Sequence, residues 1–395
     1  MKIRSAIASA LVALILVVQN HAFAQASVED YMQAVEGAQQ QSNESLGNLT
    51  IAELLEELEV PGLSIAIIKD FELHWAKAYG LADSTTGAQA DVDTKFQAAS
   101  ISKVLNAIAL LKAEQDGLID IDEDINSYLQ TWSIPQSEFT LARPVTAKML
   151  ASHTSGLGDG LGFPGYSPED RLPTLNQILN GESPANTRAV RMARTPATAY
   201  HYSGGGVTIL QLALMDIYGK SYGDILNQNV LIPLGMHNST FEQPLSAEKD
   251  KNAARAHPQV VDGYPHKWKI YPELAAAGLW TTPSDLAKVL IDTQRTYRGD
   301  FNKILTAESV QQMLSPVGVG PYTVGYTIAK NGEGWYFGHG GSNYGFLSDM
   351  EAHKSKGYGY VIMTNSSLGR PLLAEISRRI KLAYSWDSLD QPVRR

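Results

Sequence analysis

A serine and a lysine three residues apart, Ser100 and Lys103, are of the types and spacing that could do chemistry together. The segment Ser100–Gln115 has the apolar spacing of a helix, on which residues three apart share one face. The ammonium of Lys103 can therefore reach the Ser100 hydroxyl. Free N–H groups near a helix N-terminus favour developing negative charge, and a desolvated lysine can lose its proton and activate a hydroxyl. The spacing predicts a serine nucleophile with Lys103 as its partner.

The pattern Ser-x-x-Lys is weak evidence by itself, because both residue types are common. Ser246 and Lys249 match it as well. That second copy lies in a charged stretch with no apolar helix behind it, and we interpret it as a solvated face. The context favours Ser100.

Two glycine-rich segments could complete a site around Ser100. The first is Tyr202-Ser203-Gly204-Gly205-Gly206, where a tyrosine at a turn could carry a proton. The second runs from Phe337 through His339-Gly340-Gly341 to Ser342, at the end of a predicted strand. Residues without side chains let a substrate lie along a strand edge and leave N–H donors for an oxyanion. Taken singly, each could equally be a structural glycine turn.

Composition excludes several other functions. The chain has 395 residues, no cysteine and a formal charge of −9, so we predict no nucleic-acid partner, no thiolate metal site and no disulfide. The nine histidines are scattered and no HExxH occurs, so no metal is predicted. Residues Gly160–Gly165 fit a dinucleotide fingerprint, but they follow no strand and Pro164 disfavours a helix start. We interpret them as a loop and predict no cofactor.

The N-terminus has the features of a secretory signal. A basic start is followed by an apolar run from Ala6 to Val18 and by Ala22-Phe23-Ala24, a small-x-small cleavage pattern. The run is shorter than the roughly 20 residues that a membrane span needs. We expect residues 1–24 to be removed, leaving a product without a stable membrane anchor, periplasmic or secreted by a bacterium.

The strands that would hold the candidate site residues in place are predicted to come from both ends of the chain. An N-terminal hairpin, four C-terminal strands and a last helix surround a mixed helical middle. This order predicts an α/β fold with an antiparallel sheet formed by both ends, flanked by helices, and an inserted helical lobe. Residues 25–395 would form one domain, with a sheet lobe at about 50–115 and 275–385 and a helical lobe at about 116–274. The predicted strands are Leu63–Lys69, Glu72–Tyr79, Tyr322–Lys330, Trp335–Gly338, Phe346–Glu351 and Tyr358–Met363, and the last helix is Pro371–Tyr384.

In this order and spacing, the three site segments resemble the class C β-lactamase-like serine hydrolases, which include D,D-peptidases, D-amino-acid peptidases, β-lactamases and esterases. The resemblance covers nearly the whole chain after the signal. Its further landmarks are Val60-Pro61-Gly62, His153-Thr154-Ser155-Gly156-Leu157, Pro233-Leu234-Gly235-Met236 and the segment Ala277–Leu286.

The resemblance implies a mechanism. Ser100 would form an acyl-enzyme, Lys103 would hold the proton network, and Tyr202 would act as general base and then acid. The N–H groups of Ser100 and Ser342 would form the oxyanion hole, and water would release the acyl group. His339, Gly340, Gly341 and Ser203 would contact a small ester, amide or peptide substrate.

Two departures from the β-lactamase pattern bear on the substrate. His339 stands where the β-lactamases have a lysine, and Gly204 stands where they have the asparagine of Tyr-x-Asn. Both argue against an efficient β-lactamase and leave an esterase or a peptidase of D-residues. A charged His339 binding an anion would make activity fall above about pH 6.5. A weak β-lactamase, an acyltransferase and a non-catalytic binding module that keeps the fold are the alternatives.

Overall fold

The computed structural model describes residues 26–39, 45–160, 162–258, 264–300, 303–332 and 334–386. The predicted signal peptide lies outside these residues. Within them, no helix has the length and apolar character needed to cross a membrane.

The main sheet has seven antiparallel strands in the order β3-β2-β1-β9-β8-β7-β6. The N-terminal hairpin lies beside the last strand, with Leu63 opposite Thr364 and Ile65 opposite Ile362. This confirms the predicted antiparallel sheet from both chain ends. The strands are β1 (Gly62–Lys69), β2 (Glu72–Asp83), β3 (Ala88–Gln89), β4 (Phe96–Gln97), β5 (Trp280–Thr281), β6 (Thr327–Asn331), β7 (Gly334–Asn343), β8 (Phe346–His353) and β9 (Gly359–Thr364); β4 and β5 form a separate pair.

Helices cover both faces of the sheet and fill the middle of the chain. They are α1 (Val28–Glu36), α2 (Ile51–Glu57), α3 (Ser102–Gln115), α4 (Glu138–Ala142), α5 (Ala147–Ala151), α6 (Leu175–Asn180), α7 (Gly204–Tyr218), α8 (Tyr222–Leu226), α9 (Ile232–Leu234), α10 (Ala247–Asp250), α11 (Leu274–Ala277), α12 (Pro283–Arg298), α13 (Ala307–Met313) and α14 (Arg370–Ala383). Helices α4 to α10 lie where the sequence predicts a helical lobe. The assignment of residues 25–395 to one domain stays a prediction.

Strand β1 shows how the pattern of the sequence builds two cores. It is buried from Gly62 to Ile68, so both of its faces are covered. Leu63, Ile65 and Ile67 belong to the core formed with α2 and α14. Ala66 and Ile68 face the larger core that contains α3. The period-two alternation of a strand thus divides one apolar run between two layers of helices.

Three predicted strand boundaries were wrong by four residues or more. One is the end of β2, which continues from the predicted Tyr79 to Asp83, and the other two lie near the candidate site. The strand expected from Tyr322 begins at Thr327, because Thr323 and Tyr326 close a turn that places Gly325 at φ +95°. The strand expected to end at Gly338 continues to Asn343. Glycines are poor strand formers, but here pairing with β8 carries the strand through them.

Candidate active site

Ser100 lies in a single 3₁₀ turn, residues 99–101, that leads into α3. The preceding Ala99 is buried and has φ +50°, a left-handed conformation that is strained for alanine. The turn is held by side chains on both sides. Ser102 Oγ donates to the Ala99 carbonyl (2.6 Å) and accepts from Leu279 N–H (3.0 Å), and Ser348 Oγ donates to the Ala98 carbonyl (2.9 Å). The position of Ser100 is therefore fixed by its neighbours.

Lys103 is buried beneath Ser100. Its side chain is 5% exposed, and its Nζ donates to Ser100 Oγ at 3.0 Å and to the Ala276 carbonyl of α11 at 2.7 Å. Nζ also lies 5.2 Å from the centre of the Tyr202 ring. The structure thus brings together the three residues that the sequence predicts as catalytic.

Tyr202 lies just before α7 and packs against aromatic rings. The His153 ring centre is 4.2 Å from that of Tyr202, and the Tyr322 ring centre is 5.8 Å away. His153 Nδ1 accepts the backbone N–H of Ser203 (3.2 Å), and burial together with the charge of Lys103 holds the pKa of His153 well below its usual value. His153 is accordingly a neutral support for the tyrosine.

Ser203 caps the helix that follows Tyr202. It is the N-cap of α7, is buried, and accepts Gly206 N–H at 2.7 Å. Its hydroxyl donates to Asp159 Oδ1 at 2.5 Å. Ser203 is not among the residues that line the cleft beside Ser100, and its contact with substrate stays a prediction.

The second half of β7 forms one wall of the site. Strand β6 pairs with β7 only as far as Gly338, so from His339 to Asn343 the described strands pair with β7 on the β8 side alone. At Gly341 the strand comes very close to the Ser100 turn: a Cβ there would lie 2.2 Å from the Ala98 carbonyl oxygen. Gly340 and Ser342 also line the cleft.

His339 points into the protein and is 3% exposed. Its Nδ1 lies 2.6 Å from the Gly340 carbonyl, and Nε2 lies 3.5 Å from the Tyr322 hydroxyl. Burial and the charge of Lys103 lower the pKa of His339 to about 3. His339 is thus neutral at physiological pH, and the fall in activity near pH 6.5 that a charged His339 would cause is not expected.

These residues surround one cleft of about 690 Å³. Ser100, Tyr202 and Tyr322 lie on one side, and α14 contributes Arg370 and Leu373. The size is that of a site for a small organic molecule.

Several supporting residues escape sequence reasoning. Asp159, Ser102, Ser348 and the carbonyl of Ala276 act through contacts between distant parts of the chain. A single sequence carries no spacing rule for such contacts. His153 stands in a recognisable motif, but its ring contact with Tyr202 is visible only in the folded chain. In the second Ser-x-x-Lys, Ser246 to Lys249, the lysine side chain is half-exposed and donates to Glu242 and Thr240.

A sheet joined from both chain ends, with a buried lysine under a serine at the start of a helix, is the arrangement of β-lactamases and penicillin-binding proteins. That is the class which the fold and the site define. The match to a family model is equally direct: the model described as Beta-lactamase covers residues 48–385. The chain belongs to the β-lactamase family.

Individual relatives are distant. Protein flp of Staphylococcus aureus (strain MW2) is 26% identical over 325 residues, covering 79% of this chain and 61% of that protein, so the chain spans about three fifths of its length. Penicillin-binding protein 4 of Amycolatopsis lactamdurans is 24% identical over 342 residues, with 83% and 86% covered. The crystal structure of D-amino acid amidase from Ochrobactrum anthropi SV3, complexed with L-phenylalanine amide, superposes with a TM-score of 0.69 at 22% identity, covering 90% of this chain and 99% of that one. The last similarity shows the fold.

Proposed function

We propose that this protein is a serine hydrolase that cleaves ester or amide bonds through an acyl-enzyme on Ser100. The observation that carries the proposal is the buried Lys103, whose Nζ lies 3.0 Å from Ser100 Oγ. A buried lysine needs a reason, because taking an ammonium out of water is costly unless it is well paired. Within the described residues no carboxylate bonds Lys103; its acceptors are a serine hydroxyl and a backbone carbonyl. Activation of the serine is such a reason.

The proposed reaction uses the groups around the cleft. Ser100 Oγ attacks the substrate carbonyl while its proton passes to the Lys103–Tyr202 pair, and Tyr202 then protonates the leaving group. The N–H groups of Ser100 and Ser342 stabilise the oxyanion; one such donor is typically worth about 3 kcal/mol in the transition state. Water, activated by the same tyrosine, releases the acyl group.

The substrate we favour is an ester or a D-residue amide. A neutral His339 provides no cation for the carboxylate of a β-lactam. At Gly204 a Cβ would lie 2.7 Å from the Phe163 ring, so this position has no space for the asparagine side chain of β-lactamases unless Phe163 moves. Both observations support the esterase or peptidase branch and leave only weak β-lactamase activity.

We also propose that the protein is exported, because residues 1–24 have the features of a secretory signal. N-terminal sequencing of the protein from a periplasmic extract tests this proposal.

The test of function is hydrolysis of a short-chain p-nitrophenyl ester by the purified protein, Ser100→Ala and Ser246→Ala. Ser246 is the serine of the second Ser-x-x-Lys, and its side chain makes no capping bond. Ser246→Ala is therefore a matched control for Ser100→Ala. We expect turnover to be lost in Ser100→Ala alone, and mass spectrometry to find the acyl group on Ser100. Undiminished turnover in Ser100→Ala would refute the proposal. A folded wild type inactive on esters and D-amino-acid amides would instead indicate a binding module. If an alcohol or an amine is added to the assay, the appearance of its acylated product would reveal acyl transfer.

A further inference from the structure

Asp159 holds the chain on both sides of Tyr202. Before the tyrosine, His201 Nε2 donates to the backbone carbonyl of Asp159 at 3.1 Å. After it, the Asp159 carboxylate accepts from Ser203 Oγ at 2.5 Å through Oδ1 and from Gly205 N–H at 2.8 Å through Oδ2. One residue of a distant loop thus fastens the two neighbours of Tyr202 and the first turn of α7.

These contacts matter because Tyr202 has little support from regular structure. It precedes the N-cap of α7, so it belongs to no helix or strand. The first N–H groups of a helix have no partner within the helix and need external acceptors. Asp159 and Ser203 together supply acceptors for Gly205 and Gly206. If these acceptors were lost, the start of α7 would be free to shift, and Tyr202 with it.

A second set of contacts acts on the other side of the ring. The His153 carbonyl accepts His201 N–H at 2.8 Å, and His153 Nδ1 accepts Ser203 N–H at 3.2 Å. His153 therefore fixes the backbone on either side of Tyr202, while its own ring packs against the tyrosine. The carboxylate of Asp159 acts further along the chain, at the first turn of α7, where it bonds Gly205 N–H and the capping hydroxyl of Ser203.

We propose that Asp159 is a positioning residue for Tyr202, acting through Ser203 and the first turn of α7. The inference rests on the proposed function, in which Tyr202 moves the proton. Asp159 itself need not touch substrate: it does not line the cleft beside Ser100.

The experiment compares Asp159→Ala, Asp159→Asn and the control Asp170→Ala in the full chain. Asp170 lies in an exposed part of the same connection and accepts Ser167 N–H at 2.7 Å, with no bond to residues 201–206. Steady-state kcat and KM are measured with a p-nitrophenyl ester. Functional sites are counted by covalent labelling of Ser100 with a fluorophosphonate, and kcat is expressed per labelled site.

Asp159→Ala is expected to lower kcat per site about 10- to 100-fold with KM changed less than threefold, because misplacing a proton carrier by about 1 Å has effects of that size. Asp159→Asn should recover most of this loss, because the amide can accept from Gly205 N–H and donate to Ser203 Oγ. Asp170→Ala should match the wild type.

A double variant tests the route through Ser203. If Asp159 acts through that hydroxyl, Asp159→Ala with Ser203→Ala will lose little more than Asp159→Ala alone. The inference is overturned if kcat per labelled site is unchanged in Asp159→Ala, or if only the number of labelled sites falls, which would indicate a merely structural role. Either result leaves the proposed function intact as long as Ser100→Ala is inactive.

Discussion

Replacing Gly341 with alanine is the sharpest test of how the site is assembled. The Cβ would lie 2.2 Å from the Ala98 carbonyl oxygen and 2.4 Å from Ser348 Oγ. The Ser348 hydroxyl could rotate away, but it would give up its bond to the Ala98 carbonyl. The backbone oxygen can move only with the turn that carries Ser100.

The required displacement sets the size of the effect. Real Cβ atoms essentially never approach an oxygen closer than 3.0 Å, so β7 and the turn must separate by about 0.8 Å. Ser342 would then shift relative to Ser100, and the oxyanion hole that we propose for their N–H groups would be distorted. A misplacement of this size costs about 100-fold in rate, or roughly 3 kcal/mol. Overpacking of the wall would cost a further 1–3 kcal/mol or so of stability.

The assay is kcat/KM for the p-nitrophenyl ester together with thermal unfolding. Gly223→Ala in α8 is the control for the substitution itself, because a Cβ there meets nothing within 4 Å. Gly340→Ala is the comparison for stability within the same strand, since its nearest atoms are 3.7 Å away. We expect only Gly341→Ala to lose both activity and stability.

The reasoning is refuted if Gly341→Ala keeps kcat/KM within about twofold of the wild type. It is also refuted if Gly340→Ala is as unstable as Gly341→Ala, because the close approach at Gly341 would then not be the cause.

Two further predictions concern pH. Because the pKa of His339 is lowered to about 3 from 6.5, the unfolded chain binds the proton more readily, and stability is lost as pH falls from about 6.5 towards 3. His339→Gln should reduce this loss, measured as the urea midpoint at pH 7.5 and 4.5; an unchanged difference between the two would contradict the assigned pKa. Burial raises the pKa of Glu273 from 4.5 to about 7, so stability declines as pH rises through this range. Glu273→Gln should therefore raise the free energy of unfolding by about 1–3 kcal/mol at pH 8 and leave it almost unchanged at pH 4.5. An equal gain at both pH values would rule out ionisation as the cause.

The elements predicted correctly are those with a strong local signal. The apolar period that begins at Ser100 indicates α3. The apolar run of β1 in the N-terminal hairpin and the short strands near the C-terminus indicate a sheet formed by both chain ends. The prediction that the segments at Ser100, Tyr202 and His339 form one site came from the resemblance to a family. No pattern within any one segment indicates it.

What the sequence could not indicate depends on contacts between remote residues. The extension of β7 through Gly341 is favoured by β8 and by the Ser100 turn, against the local propensity of glycine. The neutral state of His339 comes from burial, which its neighbours in sequence do not reveal. Likewise, only the folded chain shows that Ser203 accepts Gly206 N–H as the N-cap of α7 and donates to Asp159.

The pairing of β1 with β9 has a consequence for how the protein matures. Leu63 pairs with Thr364, which lies about 300 residues later in the chain. Ser100 and Ser342, which line the same cleft, are also far apart in the sequence. Contacts of such long range form late and slowly in folding. A chain that is still being synthesised therefore contains Ser100 before it contains β7, the strand that forms the other wall of the cleft. The cleft beside Ser100 therefore cannot form before β7 has been made and has packed beside the Ser100 turn.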